Sequence, residues 1–306
     1  MARRPAITRT TSESPAEAAP PEFSLAHLTM LQCAPPELTE IAARAGFDYV
    51  SLRPISLGLP TEPKYPLATD RALFERTKAA LRATGVRLLD IELARIYPGV
   101  DVTEYLPALE VAAELRGRHV LSSVWCDDLA FARDRFAQLC ELARPLGLTV
   151  DLEFVTFAGI RTLNDAAGIV AASGCHNAGI CVDTLHFDRS RCKIQDLDRL
   201  PPAWFHYAQV CDGPDDWSRA EQELKRVARE ERLFLGEGGI DVRGILEHLP
   251  RVPYSLELPN ARLLAALGPV PFARRCLETA KRYLAASRAP LGLVGRGLGT
   301  GHFPRP

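Results

Sequence analysis

The sequence has no long hydrophobic run, no closely spaced pair of cysteines and no surplus of charge of either sign. No stretch approaches the roughly 20 apolar residues that span a bilayer, and the N-terminus lacks the apolar block of a secretory signal. The eight cysteines are scattered without a CxxC pair, which is typical of free thiols in a reducing compartment. We therefore expect a cytoplasmic protein without a membrane partner.

The charge balance argues against a nucleic-acid partner. Lys and Arg number 37, Asp and Glu number 38, and the formal net charge is −1. Proteins that capture phosphate backbones normally carry a broad cationic surface, which this composition does not supply. A small molecule is the expected partner.

The two ends differ in composition from the rest of the chain. Residues 1–22 are rich in Pro, Ala, Ser, Thr and Arg without hydrophobic periodicity, and they predict a disordered tail. Residues 287–306 are rich in Gly and Pro and predict a flexible C-terminal tail. The globular domain is therefore expected over residues 23–286.

Within that domain, short apolar runs alternate with amphipathic stretches, which is the pattern of βα units on a parallel sheet. Helices are predicted over 128–144 and 272–285, and a first helix begins at Pro35 and Pro36 and ends before Gly46. No GxGxxG or phosphate-binding loop is present, which argues against a doubly wound sheet. We predict an α/β fold, a single (β/α)₈ TIM barrel. Its eight strand candidates are residues 23–31, 48–55, 87–96, 119–125, 149–155, 178–186, 205–212 and 254–259.

Polar residues late in the last four strands mark the candidate site, because barrel enzymes work at the carboxyl ends of their strands. These residues are Glu153, Asp183, Gln209 and Glu257. Any one of the acids could serve a structural ion pair, but three carboxylates converging in a barrel mouth need a cation. With the amide oxygen of Gln209 the donors are all oxygen, which suits Mg²⁺ or Mn²⁺.

At these residues the chain resembles the sugar phosphate isomerase/epimerase group of the xylose isomerase-like barrels, which includes inosose dehydratases, hydroxypyruvate isomerases and ketose 3-epimerases. The resemblance covers about residues 23–286, and many members carry His where Gln209 stands. It implies that Glu153, Asp183, Gln209 and Glu257 are metal ligands and that His186 and Arg232 hold substrate oxygens. The segments that carry it are Leu152-Glu153-Phe154, Asp183-Thr184-Leu185-His186, Gln209-Val210-Cys211-Asp212, Gly236-Glu237-Gly238-Gly239-Ile240-Asp241 and Ser255-Leu256-Glu257.

The resemblance implies an isomerase or epimerase that acts on a sugar, a sugar phosphate or a related polyhydroxy carbonyl compound through an enediolate. Glu153 and Glu257 are then both ligands and acid/base catalysts, and the sequence does not distinguish which of them removes the proton. The alternative is a dehydratase or lyase that acts on an inosose, on 3-dehydroshikimate or on a keto-glycoside at the same metal site. Relatives often form dimers or tetramers, so a homo-oligomer is also an expectation.

Residues on other strands are weaker candidates for the substrate side of the pocket. Arg53 and Glu92 are predicted to bind substrate, and His27 and Arg95 lie on the same set of strands. Without the resemblance, Arg232 would be interpreted as a surface arginine. His186 could equally orient a substrate oxygen or serve as a hydrogen-bond partner of a metal ligand.

Two other interpretations remain. The zinc-dependent apurinic-site endonucleases share this barrel, but this chain has only seven histidines and no basic surplus. A catalytically silent binding barrel would be expected to lose ligands, whereas the Glu/Asp/Gln/Glu set is complete.

Overall fold

The computed structural model describes residues 20–58 and 62–286. Eight parallel strands follow one another around a closed barrel, and β8 pairs with β1. This arrangement confirms the predicted (β/α)₈ barrel. The strands are β1 (Phe23–Leu25), β2 (Tyr49–Leu52), β3 (Arg87–Ile96), β4 (His119–Val124), β5 (Thr149–Glu153), β6 (Ala178–Asp183), β7 (Ala208–Val210) and β8 (Tyr254–Leu256).

The helices pack outside the strands, and the sequence marks several of their ends. Pro35 is the first residue of α1, and Gly46 closes it at a φ of 93°, where a side chain would be strained. The Asp128 side chain accepts the Phe131 N–H at the start of α4. The predicted helix over 128–144 is therefore confirmed to within a residue at each end. The helices are α1 (Pro35–Ala45), α2 (Arg71–Thr84), α3 (Leu106–Glu114), α4 (Leu129–Ala143), α5 (Leu163–Ser173), α6 (Thr184–Arg189), α7 (Glu221–Glu230), α8 (Val242–Glu247), α9 (Ala261–Leu267) and α10 (Pro269–Ala286).

The predicted first strand is too long. Beyond Leu25 the chain enters a 3-10 helix, His27–Met30, rather than continuing in the sheet. The Thr29 hydroxyl donates to the carbonyl oxygen of Leu256 and accepts the N–H of Leu258, so this turn is fastened to the last strand and the segment after it. An apolar run alone does not reveal such a side-chain tether.

The predicted sixth strand, 178–186, also ends early. Asp183 is the last residue of β6, and its carboxylate accepts the N–H groups of Leu185 and His186 at the start of α6. This N-cap turns the chain from strand to helix. His186 therefore lies on a helix, one turn beyond the barrel, and not on a strand as predicted.

Two hydrophobic clusters pack against the strands, one on the outside of the barrel and one on the inside. The larger one fills the space between the barrel and the helices, and it includes Leu38, Phe136 and Phe272. The smaller cluster lies inside the barrel and consists of Tyr49, Leu89, Leu93, Leu121, Cys181 and Tyr207. Leu93 and Leu121 of this inner cluster also border the cavity described below.

The predicted N-terminal tail, residues 1–22, lies outside the described residues except at positions 20–22. The predicted C-terminal tail, residues 287–306, lies entirely outside them. Among the helices of the described residues, none combines the length and the hydropathy that crossing a bilayer requires.

Candidate metal and substrate site

Four side chains meet at the carboxyl end of the barrel. Glu153 is the last residue of β5, Asp183 is the last residue of β6, and Glu257 directly follows β8. Gln209 of β7 pairs with Asp183 in the sheet, and its amide nitrogen donates to the Glu257 Oε1 at 3.0 Å. All four are buried. The structure thus brings the four predicted ligands together.

Arg232 joins two of these acids. Its Nη1 lies 2.5 Å from Asp183 Oδ2, and its Nη2 lies 2.9 Å from Glu257 Oε2. Its Nε donates to the carbonyl oxygen of Ala228 at 2.8 Å, which fixes the guanidinium plane. The side chain is only 2% exposed, so the surface interpretation of Arg232 is wrong.

The charges in this cluster do not balance. The carboxylates of Glu153, Asp183 and Glu257 face the guanidinium of Arg232. The charge of nearby Arg53 is matched by that of Glu92, so a formal excess of two negative charges remains. Such an excess is costly in a buried setting and is removed by proton uptake or by a divalent cation.

The pKa values show how the excess is distributed. Burial raises the pKa of Glu153 well above its usual range, and the charges of Asp183 and Glu257 add to that effect. Burial also raises the pKa of Glu257, to about 8, although Arg232 opposes the shift. The pKa of Asp183 is lowered because Arg232 and His186 outweigh its burial. Asp183 is therefore the most readily ionised of the three acids, and the two glutamates retain their protons to higher pH.

His186 completes a second set of donor atoms. Its Nε2 lies 4.0 Å from Glu153 Oε1, and its Nδ1 lies 3.1 Å from the Thr156 hydroxyl. Glu153, Asp183 and His186 each offer one ligand atom within 4.8 Å of the others. Burial lowers the pKa of His186 to about 4, so the imidazole is neutral and has a lone pair available for a metal or a substrate proton.

These residues fit a divalent cation. The Glu153 carboxylate accepts no hydrogen bond from any residue in the described ranges, so its oxygens are available as ligands. Carboxylates together with an imidazole or amide form a donor set that Mn²⁺, Mg²⁺ and Zn²⁺ all accept. The excess of two negative charges matches the charge of such an ion.

A cavity of about 380 Å³ opens directly over this cluster. Glu153, His186, Arg232 and Glu257 line one side of it. Its size lies within the usual range for small-molecule sites. A ligand in the cavity can therefore contact the two glutamates, the imidazole and the guanidinium together.

Arg53 also lines the cavity, whereas Glu92 lies behind it. Arg53 Nε and Nη2 both donate to Glu92 Oε2, at 3.1 and 2.7 Å, and Glu92 is completely buried. Glu92 therefore contacts Arg53 and is not among the lining residues in the described part of the chain. The sequence suggested both residues as substrate-binding but did not indicate that they pair with each other.

His27 and Arg95 take structural positions. The His27 ring accepts the Arg53 backbone N–H at Nδ1 and donates from Nε2 to the Cys33 carbonyl oxygen. Burial lowers the pKa of His27 to about 4, in keeping with this neutral tautomer. Arg95 donates to the Leu57 carbonyl oxygen at 2.8 Å. Both side chains therefore hold loops around the cavity.

Cys211 lies beside the cluster, with its Sγ 3.4 Å from Arg232 Nη1. Burial raises the pKa of this thiol to about 12, and Arg232 only partly offsets the shift. Since the thiolate is the reactive form, Cys211 is an unreactive acceptor at neutral pH.

Asp212, which sequence reasoning did not select, holds the loop that follows α7. Its Oδ1 accepts the N–H groups of Gly213 and Ile240, and its Oδ2 accepts those of Gly236 and Gly238, all within 2.8–3.1 Å. The backbone of Asp212 also bridges to Leu233, the neighbour of Arg232. The glycine-rich segment 236–239 after an acidic strand end was the available signal.

We expect Asp212→Ala to destabilise the protein by about 3 kcal/mol, because four backbone donors, two of them buried, lose a charged acceptor. Thermal unfolding measures the change, and Asp216→Ala at an exposed position nearby is the matched control. Equal midpoints for the two variants would contradict the anchoring role.

A second group of potential ligands lies at the opposite end of the barrel. Asp151 accepts from His206 Nδ1 at 2.7 Å and from the Thr149 hydroxyl at 2.7 Å, and Thr149 in turn contacts His119 Nδ1. Although burial opposes it, the hydrogen bond with Asp151 raises the pKa of His206. These hydrogen bonds give the group a structural role. Asp151 therefore belongs to this group, whereas Glu153, two residues later, belongs to the acid cluster.

Comparison with known proteins identifies a family that shares this fold. A family model described as a xylose isomerase-like TIM barrel matches residues 39–280. The inosose isomerase of Halalkalibacterium halodurans is 22% identical over 233 residues, which cover 71% of this chain and 78% of that protein.

Solved structures share the fold. The IolI protein with a bound zinc atom matches with a TM-score of 0.73 and 18% identity, covering 87% of this chain and 98% of that one. The probable 3-DHS dehydratase AsbF of Bacillus anthracis matches with a TM-score of 0.64 and 15% identity, covering 85% and 98% respectively. The proteins that this chain resembles therefore include an inosose isomerase, by sequence, and a probable dehydratase, by fold.

Proposed function

Because the chain belongs to the xylose isomerase-like TIM barrel family, we propose that it is a divalent-metal-dependent isomerase or epimerase of a polyhydroxy carbonyl compound such as a sugar or sugar phosphate. The observation that carries this proposal is the cluster of three buried carboxylates, with an excess of two negative charges, directly under an open cavity. The inosose isomerase relative supports the same class of chemistry.

The metal would be held by Glu153, Asp183, Gln209 and Glu257, with His186 near enough to replace one of them. The cation, when bound, would polarise the substrate carbonyl as a Lewis acid. The oxygen donors favour Mn²⁺ or Mg²⁺. The imidazole of His186 and the zinc atom in the IolI structure favour Zn²⁺.

The two glutamates are assigned the proton transfers. Burial raises the pKa of both carboxyl groups, that of Glu257 to about 8, so Glu257 can both accept and return a proton near neutral pH. The neutral imidazole of His186 can donate a hydrogen bond to a substrate carbonyl oxygen or accept one from a substrate hydroxyl. Arg232 and Arg53 present guanidinium groups to the same cavity. Removal of a proton next to the carbonyl gives an enediolate.

The fate of the enediolate separates the two candidate reactions. Return of the proton to the adjacent carbon or to the opposite face gives an isomer or epimer, whereas loss of a β-hydroxyl group gives dehydration. The structural similarity to AsbF keeps the dehydratase as the second candidate.

Proton exchange with solvent tests the proposal. The protein would be incubated with Mn²⁺ in deuterated water together with ketoses, inososes or keto acids, and NMR would follow the C–H signals beside the carbonyl. We expect exchange with at least one compound, abolished by a chelator and restored by Mn²⁺, and the product identifies the reaction. Exchange that persists in metal-free protein would contradict the metal dependence, and the absence of exchange in all compounds would contradict the enediolate.

Metal binding should stabilise the protein more at pH 8 than at pH 5.5. The folded metal-free protein holds a proton on Glu257 up to about pH 8, whereas the unfolded chain releases it near 4.5. The folded state therefore binds more protons over this range, so metal-free stability falls as pH rises. Thermal unfolding with and without Mn²⁺ at the two pH values measures this, and Glu257→Gln should flatten the pH dependence. An equal metal effect at both pH values would contradict it.

We further propose that the protein acts in the cytoplasm, because its eight cysteines, all described, are free thiols. A homodimer or homotetramer is proposed by analogy with the family, and light scattering would measure it.

A further inference from the structure

A second cluster of metal-ligating side chains lies at the amino ends of the strands, away from the cavity. His119 is the first residue of β4, Asp151 lies within β5, and His206 lies two residues before β7. Each of them offers one ligand atom within 4.8 Å of the other two. None of the three lines the cavity over the acid cluster, so the proposed function assigns them no part.

The distances in this cluster are close to those of a zinc site. Asp151 Oδ1 lies 2.7 Å from His206 Nδ1, and Asp151 Oδ2 lies 3.7 Å from His119 Nδ1. Ligand atoms at 2.0–2.1 Å from a tetrahedral zinc ion lie about 3.3 Å from one another. Shifts of roughly 0.5 Å would therefore bring both pairs of atoms to the separation that zinc requires.

The barrel already holds the two imidazoles in place. The rings of His119 and His206 are stacked, with their centroids 5.6 Å apart and an interplanar angle of 12°. The ring of Tyr207 stacks on that of His119 at 5.2 Å. Side chains that are held in one arrangement before binding lose little conformational entropy when they take up an ion.

Gly179 on β6 leaves room for the contact between Asp151 and His206. It pairs with Asp151 in the sheet, and a Cβ atom at this position would lie 2.5 Å from both Asp151 Oδ1 and His206 Nδ1. Any side chain on Gly179 would therefore push the carboxylate and the imidazole apart. The two ligand atoms can meet because the neighbouring strand carries no side chain there.

We propose that His119, Asp151 and His206 form a second metal site, which binds Zn²⁺ and ties β4 and β5 to the segment before β7. Two imidazoles and one carboxylate are a donor set that suits Zn²⁺ better than Mn²⁺ or Mg²⁺. The site lies at the end of the barrel opposite the cavity, where bound metal stabilises the fold and does not take part in catalysis.

Zinc takes the place of hydrogen bonds that now join the cluster. The ion replaces the proton that His206 Nδ1 donates to Asp151, and it replaces the Thr149 hydroxyl, which lies 2.7 Å from both His119 Nδ1 and Asp151 Oδ2. The displaced protons pass to the other ring nitrogens or to solvent. The His206 side chain is 21% exposed, so solvent gives the ion an entry path and supplies water as the fourth ligand.

Zinc content tests the proposal with two matched variants, His206→Asn and His176→Asn. His176 is exposed and lies two residues before β6, at the same end of the barrel. Asparagine can still donate a hydrogen bond to Asp151, but it lacks the ring nitrogen that binds zinc. Both variants keep the acid cluster and the cysteine thiols, so zinc bound elsewhere is the same in both.

Each variant would be saturated with Zn²⁺, separated from free ion by gel filtration and analysed for metal by atomic emission. We expect His206→Asn to retain one zinc ion per chain fewer than His176→Asn. Equal zinc content in the two folded variants would overturn the proposal.

A second measurement uses the parent chain and needs no variant. Diethyl pyrocarbonate acylates accessible imidazoles, and mass spectrometry of peptides gives the rate for each histidine. Zn²⁺ should slow the modification of His206 at least about fivefold, because bound metal removes the free imidazole, and should leave that of the exposed His176 unchanged. The same His206 rate with and without Zn²⁺ would also overturn the proposal.

Discussion

Glu257→Gln should lower turnover by on the order of a thousandfold or more while leaving the fold intact, because it removes the proposed metal ligand and the proposed acid/base group together. Glutamine keeps the length and shape of the side chain, and it can still accept a hydrogen bond from Gln209 or Arg232. It cannot take up a proton in the pH range where the carboxylate does. The rate of proton exchange in the substrate measures the loss.

The control for this variant is Glu247→Gln, the same chemical change at an exposed position on α8. Its exchange rate should equal that of the parent. Metal affinity of Glu257→Gln, measured by calorimetry, divides the two roles: tight binding without turnover assigns Glu257 mainly to proton transfer. Parent-like turnover in Glu257→Gln would remove Glu257 from the mechanism.

The acid cluster could be predicted from sequence because barrel geometry fixes where strands end. Parallel strands present their carboxyl ends at one rim, so Glu153, Asp183, Gln209 and Glu257 had to converge once their strands were identified in the right order. Errors of several residues at the strand ends did not matter for these four. For His186 they did matter, because the Asp183 side chain ends β6 and starts a helix there.

The loop residues could not be predicted in the same way. Arg232 lies in a segment rich in charged residues, and nothing in the local pattern distinguishes it from the exposed Arg226 and Arg229. Its burial depends on the loop that Asp212 fastens through four backbone N–H groups. Hydrogen bonds between a side chain and the backbone of a distant loop leave no periodic pattern in the sequence, so they could not be predicted from it.

The rest of the cavity lining was missed for a related reason. Leu93 and Leu121 belong to apolar strand segments whose leucines are interpreted as core, and Trp125 and Phe157 lie just beyond the strands. Only the folded chain shows that these residues border the same cavity as Glu153. Sequence thus predicts the acid cluster better than the rest of the cavity lining.

Arg232→Met should destabilise the metal-free protein by about 3–5 kcal/mol at pH 8, because it removes a guanidinium bound to two buried carboxylates, those of Asp183 and Glu257. Methionine has comparable length and no charge, so the change isolates the electrostatic effect. For a barrel of this size, the thermal midpoint should fall by roughly 6–15 °C. The exposed Arg262→Met serves as the control and should leave the midpoint unchanged.

Divalent metal should reverse much of that loss, and this reversal distinguishes charge from packing. Without Arg232 the three carboxylates form a stronger trap for a cation, so Mn²⁺ should raise the midpoint of Arg232→Met by more than it raises the parent. Lower pH should also restore stability, because protonation of Glu153 and Glu257 removes the same repulsion. A loss of stability that neither Mn²⁺ nor acid reverses would mean that Arg232 acts through packing, and the argument from charge for a metal at this site would fail with it.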